Sequence, residues 1–322
     1  MLFRSALILA LVMSLSLFAC GSSKTKMRFV TGGESGTYYA FGSTIAQHAT
    51  NNAGIDVVGL VGNGSKSNVE ELDAGNAELA FCQSDVMAYA YNGTNIFDKK
   101  IDCFSTVAAL YAEQVQIVTV DPSIKTVADL EGKNVSVGQA GSGVYFNAVD
   151  ILSAYGIGDL DADGKFTKIN ATYQSFGDSA DALKDGKIDA AFIVAGAPTT
   201  AIVDLSTTKP VSLVSLDDEH IDALLKSSPY YSKCTIKADV YGLDSDTTTV
   251  AVGAVILARD DVPADAIKAL CADIFDNASS LVSSHAKYGE LNLEYASSIT
   301  SVPYHAGAVE YFAEHNITVA GK

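Results

Sequence analysis

Short apolar runs alternate with helix-like segments along this chain, and no other feature constrains its fold as strongly. The predicted strands cover 27–33, 55–61 and 77–83 in a first set, and 134–138, 166–170 and 189–196 in a second set. A long apolar run, FSTVAALYAEQVQIVTV, joins the two sets. The predicted helices cover 37–50, 67–75, 85–93, 142–156 and 178–186. Because such alternation builds parallel sheets with helices on both faces, the sequence predicts an α/β protein with two doubly wound units.

The length of the chain agrees with two units. A chain of 322 residues exceeds the size at which one hydrophobic core usually stops growing. We expect domain one to comprise 27–117 plus 240–322, and domain two to comprise 118–239.

The N-terminus is typical of an exported protein. Residues 1–19 contain Arg4, a long apolar run and the small residue Ala19, which is the layout of a signal peptide. Leu17-Phe18-Ala19-Cys20 resembles a bacterial lipobox, so residues 20–26 are interpreted as a lipidated tether. An ordinary membrane anchor, or a cut signal peptide with an incidental cysteine, is the alternative. We therefore expect an extracytoplasmic lipoprotein, on the periplasmic or outer face of the membrane, whose body carries no second spanning segment.

Charge and metal-ligand spacing exclude several functions. The 21 Lys and Arg against 38 Asp and Glu give a net charge of −17, which argues against nucleic-acid binding. The five histidines are far apart and no CxxC occurs, so we expect neither a metal nor another cofactor.

Four cysteines follow Cys20. Outside the cytoplasm an even number permits bridges, and Cys82 with Cys103 would close a short loop. Cys271 instead falls on an apolar helix stripe with Ile267 and Leu270, where a free thiol packs as a small hydrophobe.

Two glycine-rich turns precede helices in a similar way. VTGGESGTYYAFG near the start and VSVGQAGSGVYF at 135–146 each run from a strand through Ser-Gly into a helix. Neither has the GxGxxG or Lys-Ser/Thr pattern of a nucleotide site. The exposed N–H groups of such helix starts bind carboxylates, which is the role expected of Ser35, Gly36, Thr37, Ser142 and Gly143. Plain N-capping, and the general preference of βα turns for small residues, are the alternatives.

Several blocks together resemble the TAXI family, the solute receptors of tripartite ATP-independent periplasmic (TRAP) transporters. They cover nearly the whole chain after the signal segment, in order. These blocks are TGGESGTYYAFGSTIA, AELAFCQSDVMAYAYNG, DLEGKNVSVGQAGSG, DGKIDAAFIVAGAPTTAI and PYHAGAVEYFAEHNI.

The resemblance implies a periplasmic-binding-protein-like fold of type II, in which two domains joined by crossover strands close on a small solute. It also implies glutamate, glutamine or a related carboxylate as solute, and TRAP membrane permease subunits as partners.

Two turns depart from the family pattern. This chain has Asn63 in Gly-Asn-Gly-Ser, where the family tends to have Thr-Gly-Gly-Ser, and Ala112 in Tyr-Ala-Glu, where it tends to have proline. Solute preference is therefore expected to differ from that of relatives.

Further ligand-binding residues are expected at strand ends and helix starts. Glu113 is the preferred counter-ion for a ligand ammonium, with a solvated loop carboxylate as the alternative. Asp85 is more often a cap than a ligand partner, and at least one tyrosine is as readily explained by core packing. The additional candidates are Tyr38, Tyr39, Asn63, Ser65, Gln83, Ser84, Asp85, Tyr145, Gly196, Pro198 and Thr199.

A hydrolase, a sensor co-receptor and an ABC-type importer receptor are the alternatives to a TRAP receptor. A hydrolase of this architecture would need Gly-x-Ser-x-Gly at a strand-to-helix turn, and the sequence around Ser35 and Ser142 lacks that spacing. A sensor co-receptor and an ABC-type importer receptor use the same fold. The sequence therefore predicts a binding protein rather than an enzyme and leaves these receptor types open.

Overall fold

The computed structural model describes residues 24–95 and 97–322. The predicted signal peptide and Cys20 lie outside the described residues. None of the helices within the described ranges has the length and apolarity needed to span a membrane.

Strands and helices alternate as predicted. The strands are β1 (Lys26–Val30), β2 (Asp56–Leu60), β3 (Leu79–Gln83), β4 (Phe104–Thr119), β5 (Asn134–Ser136), β6 (Asn170–Thr172), β7 (Ala190–Ala195), β8 (Ser212–Leu213), β9 (Ser232–Ile236) and β10 (Thr247–Arg259). The helices are α1 (Thr37–Asn52), α2 (Ser65–Asp73), α3 (Ser84–Asn92), α4 (Val144–Ala154), α5 (Phe176–Lys184), α6 (Thr200–Ser206), α7 (Asp218–Ser227), α8 (Ala264–Asp276), α9 (Ala278–Leu281), α10 (Leu293–Ala296) and α11 (Ala306–Glu314). Short 3₁₀ turns cover Val127–Leu130, Ala238–Val240 and Ala286–Glu290.

The strands form two parallel sets on either side of an antiparallel pair. The order is β2-β1-β3-β10-β4-β7-β5-β6, with β8 on β4 and β9 on β10. The set β2-β1-β3 is parallel, and so is β7-β5-β6. We call the half that contains β1–β3 the first lobe and the half that contains β5–β7 the second lobe.

The long strands β4 and β10 belong to both lobes. Residues 254–258 of β10 pair with β3, and residues 247–251 pair with β9. Residues 114–119 of β4 pair with β7 of the second lobe. Both strands therefore cross between the lobes near Glu113 and Val252, which face each other in the ladder. This confirms the doubly wound α/β fold with crossover strands. The predicted boundary at 117/118 falls inside β4, and the domain limits stay a prediction.

Each lobe has its own apolar core. In the first lobe, Phe29 and Phe41 are fully buried against α8, and the predicted stripe of Ile267, Leu270 and Cys271 faces the same core. In the second lobe, β5 and β7 pack against α4 through residues such as Val135, Ile151 and Phe192. Burying these side chains stabilises each lobe by about 1.5–3 kcal/mol per large residue.

The strand predicted over 166–170 is displaced. The observed strand β6 covers Asn170–Thr172 and pairs with β5. The apolar residues Phe166 and Ile169, which suggested a strand, pack into the second core from the segment before it. The prediction was wrong because both side chains are buried in the core outside a strand, and Phe166 forms only an isolated bridge with Leu160.

The predicted bridge between Cys82 and Cys103 is not formed, because both thiols are free. Cys82 is buried in β3, and Cys103 precedes β4. Strand β10 lies between β3 and β4, so the two cysteines are separated by two strand spacings of about 4.8 Å each. That separation exceeds the roughly 7 Å that a disulfide can bridge between Cα atoms.

Candidate ligand-binding site

A cavity of about 330 Å³ lies between the two lobes, at the carboxyl ends of the parallel strands. Residues of β3 and β4, together with the loops that follow β1, β2, β5 and β6, line it. Open α/β sheets bind ligands at this edge, and the volume falls in the range of small-molecule sites. We refer to it as the interlobe cavity.

Four helix N-termini meet at the interlobe cavity. They are the starts of α1, α2, α4 and α5. The first three are preceded by Gly36, Gly64 and Gly143, and none of these helices has a side-chain cap. Only α5 is capped, because Ser175 Oγ accepts the N–H of Asp178. Uncapped N–H groups and the positive ends of helix dipoles make this wall suited to an anionic group.

Glu113 contributes the opposite charge. Its side chain lies where β4 crosses between the lobes, is only 2% exposed, and lines the interlobe cavity. Burial raises the pKa of the Glu113 carboxyl from 4.5 to about 8, and the nearby Lys287 ammonium opposes that shift. A ligand cation beside Glu113 would stabilise its ionised form.

Lys287 is engaged away from the cavity lining. Its Nζ donates to the carbonyl of Ala197 at 3.0 Å and to Glu290 Oε1 at 2.5 Å. The same ammonium lies 5.2 Å from the centroid of the Tyr111 ring. A side chain on Gly196 would collide with Lys287, which explains why this position is a glycine.

Several buried polar atoms at the interlobe cavity lack a partner. Within the described chain, Tyr38 Oη, Gln83 Oε1, Glu113 Oε1 and Ser142 Oγ have no hydrogen bond. All four residues line the cavity. Leaving a buried polar atom unpaired costs about 1–3 kcal/mol, so this concentration of such atoms indicates a place for a polar ligand.

Direct hydrogen bonds hold the lobes together around the cavity. Gln139 Nε2 donates to Asn63 Oδ1 at 2.6 Å, and the N–H of Ser67 donates to the carbonyl of Gly141 at 2.9 Å. On another side of the cavity, Thr37 Oγ1 donates to the carbonyl of Gly196 at 2.8 Å. The structure therefore has the closed arrangement of the two lobes.

A buried polar network beside the cavity links the same lobes. Asn147 on α4 accepts from Gln83 Nε2 at 3.1 Å and donates to Asp85 at 3.0 Å. Asn147 also donates to Tyr231 Oη, which in turn donates to Asp150. Burial raises the pKa of Asp85 from 3.8 to about 7. Asp85 thus stabilises the contact between the lobes and lies outside the cavity lining.

The structure brings most of the predicted site residues together. Those that line the interlobe cavity are Ser35, Gly36, Thr37, Tyr38, Asn63, Ser65, Gln83, Glu113, Ser142 and Gly143. Their contact with a ligand stays a prediction, as do the roles assigned to each of them.

The remaining predicted residues lie outside the cavity lining. Ser84 Oγ accepts the N–H of Gly253, and Thr199 Oγ1 accepts from Gln116, so both hydroxyls serve the fold. Tyr145 packs among Phe146, Phe166 and Tyr173. The other residues that do not line it are Tyr39, Asp85, Gly196 and Pro198.

Sequence reasoning missed the wall formed by the start of α5. Gln174, Ser175, Phe176, Asp178 and Asp181 line the cavity there. The signal was present, because Ser175 followed three residues later by Asp178 is a helix-start pattern. It was missed because the strand before it was placed too early and the helix start too late.

Glu113 and Asp85 give a testable pH dependence. Both pKa values are higher in the folded protein, about 8 and about 7, than the usual 4.5 and 3.8. At pH values between the ordinary and the raised pKa of each carboxyl, the folded state holds a proton that the unfolded state has released. The free energy of unfolding therefore falls as pH rises from about 4 to 8. We expect the unfolding free energy of the empty protein to drop across this window by an amount on the order of a few kcal/mol.

Urea unfolding at a series of pH values measures this effect. Glu113→Gln cannot ionise and should flatten the decline at its upper end, and Asp85→Asn should flatten the lower part. A pH profile that neither substitution changes would contradict the assignment.

Several proteins of known structure are similar to this chain. A protein described as a periplasmic transporter shares the fold with a TM-score of 0.52 and 15% identity, over 92% of this chain and 95% of its own. A chloride-bound protein from Xanthomonas citri matches with a TM-score of 0.50 and 11% identity, over 84% and 93%. The periplasmic aliphatic sulphonate binding protein SsuA from Escherichia coli matches with a TM-score of 0.48 and 17% identity, over 91% and 94%.

The family model described as NMT1-like family matches residues 29–315, which spans both lobes and every residue of the interlobe cavity. The chain belongs to the NMT1-like family and has the fold of periplasmic binding proteins.

Proposed function

We propose that this protein is an extracytoplasmic solute receptor that captures an amino acid such as glutamine or glutamate in the interlobe cavity. The observation that carries the proposal is the pairing of opposite charges in one closed cavity. Uncapped helix starts at Gly36, Gly64 and Gly143 suit a carboxylate, and the unpartnered Glu113 oxygen suits an ammonium. An α-amino acid carries both groups on the same carbon atom.

The size of the cavity supports this class of solute. At about 30 Å³ of liquid volume per water, its 330 Å³ holds roughly eleven water-sized groups. Glutamine and glutamate have about ten non-hydrogen atoms each, which is the same scale.

A receptor is favoured over an enzyme by the lining. Ser142 and Ser35 line the cavity, but no histidine is among the described residues that do. A serine without a neighbouring base is a weak nucleophile. The solute is therefore proposed to leave chemically unchanged.

The partner is proposed from the resemblance to TAXI receptors. In that proposal the closed, loaded protein docks on TRAP permease subunits, and an ABC-type importer or a membrane sensor is the alternative partner. Coupling to any of them requires that the loaded and empty shapes differ, which two lobes joined by β4 and β10 allow.

Attachment to the membrane by a lipid on Cys20 is part of the proposal. Cys20→Ala should move the protein from the membrane fraction to the soluble fraction of cells, because the variant lacks the thiol that carries the lipid. Fractionation with immunoblotting measures this change. An unaltered membrane fraction would reject the lipid anchor and favour an uncleaved N-terminal segment.

A melting-temperature screen of the purified protein tests solute binding. We expect one amino acid or close analogue to raise the melting temperature, whereas nucleotides, sugars and metal ions do not. Ligand at 100 times its dissociation constant adds about 2.7 kcal/mol to stability. At about 2 °C per kcal/mol this amounts to roughly 5 °C. A screen in which every amino acid and dicarboxylate fails would reject this class of solute.

A further inference from the structure

We infer that the interlobe cavity selects a solute without a second negative charge, so that a neutral or cationic amino acid side chain is preferred over a carboxylate. This inference rests on the proposed function and deepens it. Four carboxylates line the cavity, at Glu34, Glu113, Asp178 and Asp181. The lining contributed by residues 24–95 and 97–322 includes no lysine, arginine or histidine.

Three of the four carboxylates form a mouth that spans both lobes. Glu34 belongs to the loop after β1, whereas Asp178 and Asp181 lie on α5. These segments are in contact, because a Cβ placed on Gly36 would lie 3.3 Å from the Phe176 ring, and one placed on Gly177 would lie 3.1 Å from Ser35 Oγ. All three carboxylates are exposed, so the mouth bears negative charge at neutral pH.

The positive features of the cavity act only close to the uncapped helix starts. They are helix N-termini, each equivalent to about half an elementary charge, and their effect fades within the first turn. The basic side chain of Lys287 hydrogen-bonds Ala197 and Glu290 instead. A solute whose first carboxylate occupies the helix starts would therefore bring a second one against the acidic mouth.

A neutral amide meets a different environment at the mouth. Asn63, Gln139 and Gln174 line the cavity, and their amides both donate and accept hydrogen bonds. A solute amide can also donate to the carboxylate of Glu34 or Asp181. Within the part of the chain that the structure describes, neither carboxylate forms a hydrogen bond. The groups at the mouth thus favour glutamine over glutamate.

Calorimetric titration of the purified protein with glutamine, glutamate and lysine tests this inference. At neutral pH and low salt we expect glutamine to bind at least about tenfold more tightly than glutamate, since several like charges oppose the second carboxylate. The ratio should shrink as salt screens the exposed mouth.

A double variant separates charge from shape. Glu34→Gln combined with Asp181→Asn should reduce the glutamine-to-glutamate ratio by at least about threefold, and Glu131→Gln, an exposed carboxylate outside the lining, should leave it unchanged. Glutamate binding as tightly as glutamine, or an unchanged ratio in the double variant, would overturn the inference while the receptor function stands. Failure of every amino acid and dicarboxylate in the melting-temperature screen would overturn both the inference and the receptor function.

Discussion

Gly143→Ala is expected to weaken solute binding by about 10- to 100-fold while leaving each lobe folded. Gly143 in the second lobe lies so close to the first that an added Cβ would fall 1.7 Å from Gln83 Oε1 and 3.0 Å from Ser65 Oγ. Gln83 is buried and bound to Asn147, so its amide cannot yield without losing that bond. Displaced into the cavity, it would occupy the space of the solute. Overpacking of this kind costs about 1–3 kcal/mol.

The backbone itself tolerates alanine at this position, because Gly143 has a φ of −71°. The collision with Gln83 lies between the lobes, and the empty protein can relieve it by opening about β4 and β10. The melting temperature of the empty variant should therefore stay close to that of the wild type, and the loss should appear in the titration. Gly289→Ala is the matched control, since its nearest neighbours would be the Val282 methyl groups at 3.8 Å. Wild-type affinity in Gly143→Ala would show that the closed contact between Gly143 and Gln83 is not needed for binding.

Glu113→Gln is expected to reduce the affinity for the amino acid by at least about 30-fold. In the proposed complex the Glu113 carboxylate is the buried partner of the solute ammonium. Removing one partner of a buried charge pair costs about 2–5 kcal/mol, because the remaining charge stays desolvated. The substitution keeps the shape of the side chain and removes a buried ionisable group, so the empty protein should remain folded.

A solute analogue without the amino group makes this test specific. Such an analogue lacks the charge that Glu113 is proposed to hold, so its affinity should change little between the wild type and Glu113→Gln. The control variant is Glu294→Gln, which alters an exposed glutamate on α10. Equal losses for the amino acid and its des-amino analogue would assign Glu113 a structural role and remove it from recognition of the amine.

The features that sequence reasoning predicted correctly are those set by local pattern. The period of the apolar residues placed β1, α1 and the helix stripe of Cys271, and the two Ser-Gly turns placed helix starts at the cavity. Glu113 stands out in the sequence because it is a carboxylate in a mostly apolar stretch before a predicted crossover strand. The structure places this residue in the cavity wall, with one oxygen unpartnered.

The features that it missed depend on segments far apart in the chain. Strand β10 inserts between β3 and β4 and so separates Cys82 from Cys103, although its sequence follows about 140 residues later. The partners of Lys287 at Ala197 and Glu290, and the closeness of Gly143 to Gln83, likewise arise from tertiary packing alone. The acidic mouth is formed by a loop of one lobe and a helix of the other, so no local sequence pattern predicts it.

The most direct test of the account is to saturate the purified protein with the amino acid that raises its melting temperature, remove the free ligand, and unfold the protein. Mass spectrometry of the released material, together with a calorimetric titration, gives the stoichiometry and the chemical identity of the bound solute. The account predicts one equivalent per chain of the same amino acid, chemically unchanged. Release of a converted product would identify an enzyme instead, and the absence of any bound amino acid would contradict a receptor for this class of solute.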